Sequence, residues 1–213
     1  MGIASLSIEL QLILIPTILF ALTFHEYAHA RVAYILGDYT SYYQNRMNLN
    51  PFNHLDPFGT FALYFLGFGW AKPVPVNIQN LSNPRKDMMM IAMAGPASNM
   101  FLAFAASIIY RLNFFLQINE SFIFPLEIFI QINIVLAIFN LIPLNPLDGS
   151  RILPLLVKNP NTLYKIELYG PRLLIGLVIL NLIGIPILST LILTPVSITV
   201  SYTHLRAHET SRY

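Results

Sequence analysis

Four long apolar stretches dominate the pattern of hydrophobic and polar positions along this chain. Separated by polar or proline-rich segments, they cover residues 7–36, 88–112, 122–144 and 173–193. Each has the length of roughly 20 helical residues that crosses the hydrocarbon core of a bilayer. Pro186 interrupts the fourth stretch and is expected to bend or shorten it. The pattern predicts an α-helical integral membrane protein with about four transmembrane helices.

The connection between the first two stretches, residues 37–87, contains an apolar patch at residues 61–70. The patch is too short for a membrane span and too apolar for a solvated loop. It predicts a membrane-associated hairpin or short β-strands after the first helix, with Trp70 and Lys72 at the depth of the lipid headgroups. A buried loop packed against the helical bundle is the alternative interpretation.

Basic residues are distributed unevenly among the connections. Those in or beside the first and third connections are Arg31, Arg46, Lys72, Arg85, Lys86, Arg151, Lys158, Lys165 and Arg172. The second connection has only Arg111. Because basic connections stay on the cytoplasmic side, the N-terminus is expected outside, and the end of the first helix is expected near the cytoplasmic face.

Composition supports a membrane protein and narrows the chemistry. The chain is 55% hydrophobic and 10% charged, whereas about 25% of residues in a soluble domain are charged. A net charge of +2, without a basic cluster interleaved with aromatic residues, argues against nucleic-acid binding. The chain has no cysteine, so a metal would be bound by histidine or carboxylate side chains rather than by thiolates.

Residues 1–199 are expected to form a single membrane-embedded domain. The apolar pattern stops near residue 200, and residues 200–213 have the character of a non-native extension or a disordered tail. His204 and His208 in this tail are four residues apart and could in principle bind metal. No cleavable signal peptide is evident, because no basic residue precedes the first apolar run.

The first apolar stretch contains the sequence HEYAH at residues 25–29. On a helix, His25 and His29 lie on one face and can reach the same ion. Glu26 is about 100° further around the helix and can hydrogen-bond a water held by that ion. Titratable side chains are costly within a bilayer and tend to be functional there. The motif therefore predicts a zinc hydrolase that works within the membrane.

A catalytic zinc requires three protein ligands and an open position for water. Acidic residues near the predicted membrane segments are few, and Asp148 stands out at the cytoplasmic end of the third stretch. Proline and glycine around it break the helix and allow the carboxylate to point back into the bundle. Asp148 is the candidate third ligand, and a helix cap or turn residue is the structural alternative.

Five segments of the chain occur in an order that is typical of one family. They are FHEYAHA at 24–30, NPFNHLDPFGT at 50–60, GWAKPVPV at 69–76, AGPASN at 94–99 and NLIPLNPLDG at 140–149. Together they resemble the site-2 proteases, which are intramembrane zinc metalloproteases, over about residues 10–155. The chain resembles a compact member without an evident PDZ or CBS module. Asn145 and Asn45 replace a proline and a glycine that are frequent in the family, which bears on substrate fit rather than on activity.

The resemblance implies a set of catalytic roles. His25, His29 and Asp148 would bind one catalytic Zn²⁺, and Glu26 would act as the general base. Asn140 would steady the developing oxyanion or the substrate backbone; a hydrogen bond between helices is the alternative.

A second group of candidates concerns the substrate. In the resembled family, the region corresponding to residues 69–76 is thought to contact substrate, and the candidates there are Gly69, Trp70, Lys72 and Pro73. An edge strand in this region would pair with an unwound substrate. His54 is either a polar substrate contact near the zinc or a loop histidine bonded to Asp56.

The expected partners are the lipid bilayer and membrane-protein substrates, single-span proteins above all, in a prokaryotic cell membrane. Two other functions fit a zinc-binding membrane protein. A metal transporter would use His25, His29 and Asp148 as a transient site, but Glu26 beside the first ligand and the absence of an internal repeat favour hydrolysis. A non-catalytic scaffold would keep a structural zinc.

Overall fold

The computed structural model describes residues 2–116 and 119–194, and these residues are mostly helical. The helices are α1 (Ile8–Ile35), α2 (Thr40–Tyr43), α3 (Pro57–Leu66), α4 (Pro84–Leu116), α5 (Glu120–Leu141), α6 (Leu153–Leu156), α7 (Pro160–Leu182) and α8 (Ile187–Thr194). The predicted tail, residues 200–213, lies outside the described residues.

Helices α1, α4 and α5 are long and apolar enough to cross a membrane. Among the described residues, a fourth span is formed only if α7 and α8 count as one, because they are bent by 95° where they meet. The break contains Gly184, whose φ of 92° is left-handed, and Pro186. The predicted fourth stretch, residues 173–193, therefore differs from the structure: its helix starts earlier, at Pro160, and breaks after Leu182.

Helix α1 begins at a serine cap and passes through a proline without ending. The side chain of Ser7 accepts a hydrogen bond from the backbone N–H of Leu10, which satisfies one of the free donors at the helix start. Pro16 lies inside the helix, as packed membrane helices tolerate. The helix runs on to Ile35, so the whole predicted motif at residues 25–29 lies on one continuous helix.

The bundle exposes large apolar side chains and buries a group of polar ones beside its apolar core. On α1, Ile8 is 74% exposed whereas His25 is 4% exposed. The buried polar residues of the three long helices are Thr17, Thr23, His25, Glu26, His29, Asp87, Asn99, Ser107 and Asn133. Apolar side chains on the outside, with polar side chains confined to the interior, are expected of helices that face lipid.

The apolar patch after α1 is largely helical. Asp56 caps α3 by accepting a hydrogen bond from the N–H of Gly59, and Pro57 occupies the first helical position, where its missing N–H costs nothing. Gly67, with φ of 77°, ends the helix. Within residues 2–116 and 119–194 the structure has no β-strand, only one antiparallel bridge between Leu55 and Ala71. The predicted hairpin is thus a helix followed by an extended segment, and short strands are not found there.

Residues 72–77, here called the strap, connect this region to the rest of the bundle without regular secondary structure. Two groups hold its beginning. The Lys72 N–H donates to the carbonyl of His54 at 2.8 Å. The buried Arg46 guanidinium donates to the carbonyls of Lys72 and Pro73 at 2.6 and 3.3 Å. Pro75 keeps the residue before it extended.

A buried carboxylate holds the other end of the strap. Asp38 accepts hydrogen bonds from the N–H of Asn77, the side-chain amide of Asn80, and both the N–H and the hydroxyl of Thr40. Burial alone would raise the pKa of Asp38, but these donors outweigh it and hold the pKa below its usual range. The end of α1 and the end of the strap are therefore joined through one charged group.

Replacing Asp38 by asparagine should destabilise the protein and flatten its response to acid. Each hydrogen bond to a charged group contributes about 1.5–3 kcal/mol, and we expect a loss of that order at pH 7. Because the folded-state pKa lies below the unfolded value of about 3.9, the stabilisation is present above about pH 4 and is lost as pH falls through the folded pKa. The thermal midpoint in detergent, measured from pH 7 to pH 3, checks this.

Asp56→Asn is the matched control, since asparagine caps a helix as well as aspartate does. Its midpoint should follow wild type at every pH. Equal acid sensitivity in wild type and Asp38→Asn would contradict the role given to Asp38.

Candidate metal centre

Side chains from two distant parts of the chain meet at one point. His25 and His29 come from α1, and Asp148 comes from the 3-10 helix Asp148–Ile152 that follows α5. The Oδ2 atom of Asp148 lies 3.1 Å from Nε2 of His25 and 3.3 Å from Nε2 of His29. The three candidate ligand atoms all lie within 4.8 Å of one another. The structure thus brings together the three predicted metal ligands.

The turn after α5 brings Asp148 back to α1. The segment closes on itself through hydrogen bonds from the N–H of Leu147 to the carbonyl of Leu144 and from the N–H of Ser150 to the carbonyl of Leu147. Gly149 packs against the end of α5 so closely that a Cβ atom would collide with the carbonyl of Leu141. Glycine there lets the turn fold under the helix and present the carboxylate to the histidines.

Both histidines use the ring nitrogen that faces away from Asp148 for a hydrogen bond. His29 Nδ1 is 2.7 Å from the carbonyl of Ile91, which can only accept, so this nitrogen carries the proton. His25 Nδ1 is 2.6 Å from Oδ1 of Asn99. A neutral imidazole with its proton on Nδ1 has a free lone pair on Nε2. With their protons on Nδ1, both rings can direct an Nε2 lone pair at an ion held beside Oδ2 of Asp148.

This donor set fits zinc. Two ligand atoms bound tetrahedrally at about 2.0–2.1 Å from one ion lie about 3.3 Å apart, close to the 3.1 and 3.3 Å found here. Burial alone would raise the pKa of Asp148, but its contacts with the His25 and His29 rings outweigh burial and hold the pKa below its usual range. Asp148 is therefore a carboxylate, which is the form that binds a cation.

Glu26 lies next to this centre and beside the strap. Its side chain is buried and its Oε2 accepts a hydrogen bond from the N–H of Val74 at 3.1 Å. It is close enough to interact electrostatically with His29 and Arg46. Burial lowers the pKa of Arg46, and the Glu26 charge opposes this shift. The predicted base thus has a fixed orientation and a cation nearby.

Helix α4 approaches the centre at a glycine. A Cβ atom on Gly95 would meet the imidazole rings of both His25 and His29. Gly95 lies inside α4, where alanine is the better helix former. The reason for glycine at this position is therefore the space that the two rings need.

The other predicted site residues have contacts that do not test their roles. The side-chain amide of Asn140 donates to the carbonyl of Leu136 one turn earlier in α5, rather than to another helix. His54 is 1% exposed, and its Nε2 pairs with the carbonyl of Asn48 rather than with Asp56, which caps α3. The oxyanion role of Asn140 and the substrate role of His54 stay predictions.

The residues expected to contact substrate lie together where α3 meets the strap. Gly69 packs against α3 so closely that a Cβ atom would collide with the carbonyl of Gly59. Trp70 is 52% exposed. Lys72 and Pro73 contribute the carbonyls that Arg46 binds. Their contact with substrate stays a prediction.

Sequence reasoning missed four contributors to the site. Val74 acts through its backbone N–H, so its side chain carries no signal. The sequence indicates Arg46 only as one of the basic residues that set the orientation. Asn99 lies in the AGPASN segment, one of the five segments that resemble the site-2 proteases, but that resemblance did not indicate its contact with His25. Ile91 contributes a carbonyl, which every residue has.

Comparisons with known proteins identify the family of this chain. The model of peptidase family M50 matches residues 116–182, which include Asn140 and Asp148. The Bacillus subtilis (strain 168) protein "Putative zinc metalloprotease YwhC" is 44% identical over 150 residues, 68% of each chain. The chain belongs to peptidase family M50. No solved structure matches it. Membership of M50 confirms the resemblance to the site-2 proteases and the prediction of a zinc metalloprotease with apolar membrane helices.

Replacing Gly95 by alanine should weaken zinc binding while the fold is kept. The added methyl group must displace one or both imidazoles, and overpacking of this kind costs about 1–3 kcal/mol. Since 1.4 kcal/mol is a factor of ten, we expect the zinc dissociation constant to rise about 5- to 150-fold. Competition with a chromophoric chelator measures it.

The control is Gly176→Ala in α7, where the added Cβ has no neighbour within 4 Å. All three proteins, including the reference without a glycine substitution, carry His204→Ala and His208→Ala, so that the other histidine pair cannot bind zinc in the measurement. Unchanged zinc affinity in Gly95→Ala, or an equal loss in Gly176→Ala, would contradict the prediction.

Proposed function

We propose that this M50 peptidase hydrolyses peptide bonds within or near the transmembrane segments of membrane proteins, using His25, His29 and Asp148 as zinc ligands and Glu26 as general base. The observation that carries the proposal is the convergence of two imidazole nitrogens and a carboxylate oxygen inside a bundle with an apolar exterior. A buried set of three acceptor atoms is stable only with a cation or proton between them.

In this mechanism the protein supplies proton transfer and orientation. Zn²⁺ held by His25, His29 and Asp148 would polarise the scissile carbonyl and lower the pKa of a water bound to it toward about 7. The Glu26 carboxylate, oriented by the Val74 N–H, takes a proton from the attacking water and delivers it to the leaving amine. The Asn140 amide donates a hydrogen bond to the developing oxyanion.

Water reaches the site from the side of Asp148. The side chain of Asp148 is 21% exposed, whereas those of His25 and His29 are 5% and 9% exposed. The distribution of basic residues supports a cytoplasmic position for this side and an external N-terminus. The one membrane-embedded domain proposed for residues 1–199 would then open its site to the cytosol.

Substrate is proposed to enter where α3 meets the strap. Phe58, Phe61, Phe65 and Trp70 are exposed there, which suits a segment at the membrane interface. An unwound substrate segment would contact Gly69, Trp70, Lys72 and Pro73, with His54 beneath them. The proposed substrate class is single-span membrane proteins, which the resemblance to the site-2 proteases supports. That resemblance and the relative from Bacillus also support a prokaryotic cell membrane.

Cleavage of a single-span model substrate by purified protein should separate the assigned roles. Glu26→Gln should retain zinc and lose about 10²- to 10⁴-fold in kcat, because it removes the general base. Asp148→Asn should lose zinc affinity, since an amide replaces a charged ligand. Gel-based cleavage rates and zinc content measure both.

Glu9→Gln on the exposed start of α1 and Asp56→Asn at the cap of α3 are the matched controls, and both should cut and bind zinc as wild type does. Cleavage by Glu26→Gln at the wild-type rate would show that Glu26 is not the base. Stoichiometric zinc without cleavage in wild type would favour a scaffold over a protease.

The hydrogen bond from the strap to Glu26 should matter for the chemical step. Val74→Pro removes the N–H that orients the carboxylate while keeping the extended backbone that Pro75 already imposes. A bond to a charged group contributes about 1.5–3 kcal/mol, so we expect kcat to fall about 10- to 150-fold with zinc content unchanged. Val74→Ala keeps the N–H and should stay within a few-fold of wild type. Equal rates in the two variants would contradict the role of this bond.

A further inference from the structure

Two asparagines lie fully buried in the middle of the bundle. Asn99 on α4 and Asn133 on α5 are both 0% exposed. An amide buried without partners costs several kcal/mol in an apolar environment. Both side chains are partnered, and their hydrogen bonds form one chain that ends at the His25 ring.

The direction of this chain is fixed by its far end. The Asn133 amide nitrogen donates to the carbonyl of Phe129, which can only accept, so Oδ1 of Asn133 faces Asn99. The Asn99 amide nitrogen then donates both to that oxygen at 2.9 Å and to the carbonyl of Ala21 at 3.2 Å. With its nitrogen committed to two acceptors, Asn99 presents Oδ1 to His25.

The orientation of Asn99 decides which nitrogen of His25 carries the proton. Oδ1 of Asn99 has only lone pairs to offer, so Nδ1 of His25 must be the donor in the 2.6 Å contact. In the neutral ring Nε2 is then left with its lone pair, on the side of Asp148. The rotated amide would place an N–H against Nδ1 and favour the tautomer that cannot bind metal through Nε2.

We propose that Asn99 is a positioning residue for zinc and that Asn133 acts through it, so that the Asn133–Asn99 chain locks His25 in its metal-binding tautomer. The inference rests on the proposed metal centre. His29 needs no such chain, because a backbone carbonyl binds its Nδ1 directly. The two ligands on α1 are thus fixed in different ways, one by α4 alone and one by α4 together with α5.

A structural role for the two asparagines makes a different prediction from a positioning role. Asparagines that merely join helices would contribute to stability and leave zinc affinity unchanged. Loss of a hydrogen-bond partner behind a metal-binding histidine typically costs 10- to 100-fold in metal affinity. The zinc dissociation constant therefore distinguishes the two roles, whereas the thermal midpoint does not.

The test measures zinc affinity by chelator competition for Asn99→Leu, Asn133→Leu and the double variant, all with His204→Ala and His208→Ala. Asn99→Leu should raise the dissociation constant about 10- to 100-fold. Asn133→Leu should raise it less, and the double variant should be no worse than Asn99→Leu, because coupled residues are not additive. Visible spectra of the cobalt-loaded protein should change in Asn99→Leu, since the His25 ring is no longer held.

Ser107→Ala is the control, because Ser107 is a buried polar residue of α4 whose hydrogen bond, to the carbonyl of Ala103, stays within the helix. It should bind zinc and cobalt as wild type does. Affinity within twofold of wild type in Asn99→Leu, or additive losses in the double variant, would overturn the positioning role. If Asn99→Leu does not fold, the zinc affinity of Asn133→Leu tests the positioning role independently. Wild type without zinc affinity would overturn the metal centre itself.

Discussion

Two imidazole nitrogens and a carboxylate oxygen meet inside a bundle whose outer surface is apolar, and the rest of the structure depends on this convergence. The carboxylate oxygen lies 3.1 and 3.3 Å from the two imidazole nitrogens, and acceptor atoms this close repel one another unless positive charge lies between them. The bundle must therefore hold the rings rigidly, exclude alternative partners and keep the carboxylate ionised. Each of the surrounding features does one of these things.

Two glycines make room for the metal centre because they have no side chain. Gly95 leaves the space in which the two rings sit, and Gly149 lets the turn after α5 fold back beneath the helix end. On the outside, exposed side chains such as Ile8 and Leu12 face away from the bundle. Since lipid gives helices no hydrophobic reason to associate, interior polar contacts and close packing hold them together.

The strap adds a constraint from outside the long helices. It is bound at one end by Arg46 and at the other by Asp38, and between them the N–H of Val74 contacts Glu26. Both ends are held through charged groups, so the position of one backbone N–H is set by two buried side chains. The base is thereby oriented by a segment that also lies beside the proposed substrate entry.

Much of this could be predicted from the sequence because the strongest signals are local. The first span, expected at residues 7–36, is Ile8–Ile35, and the motif spacing placed both histidines on one face. The apolar run at 61–70 did not predict helix α3, because the helix begins before the run, at Pro57, and is capped by Asp56. The chain from Asn133 through Asn99 to His25 could not be predicted, because it requires three helices to be placed together.

The most direct test of the metal centre is zinc-edge X-ray absorption on the purified chain carrying His204→Ala and His208→Ala. The account predicts one zinc per chain with nitrogen and oxygen ligands at about 2.0–2.2 Å and the outer-shell scattering of two imidazoles. Asp148→Asn should change that shell or empty the site. A zinc shell with one imidazole or none, or a spectrum unchanged by Asp148→Asn, would contradict it.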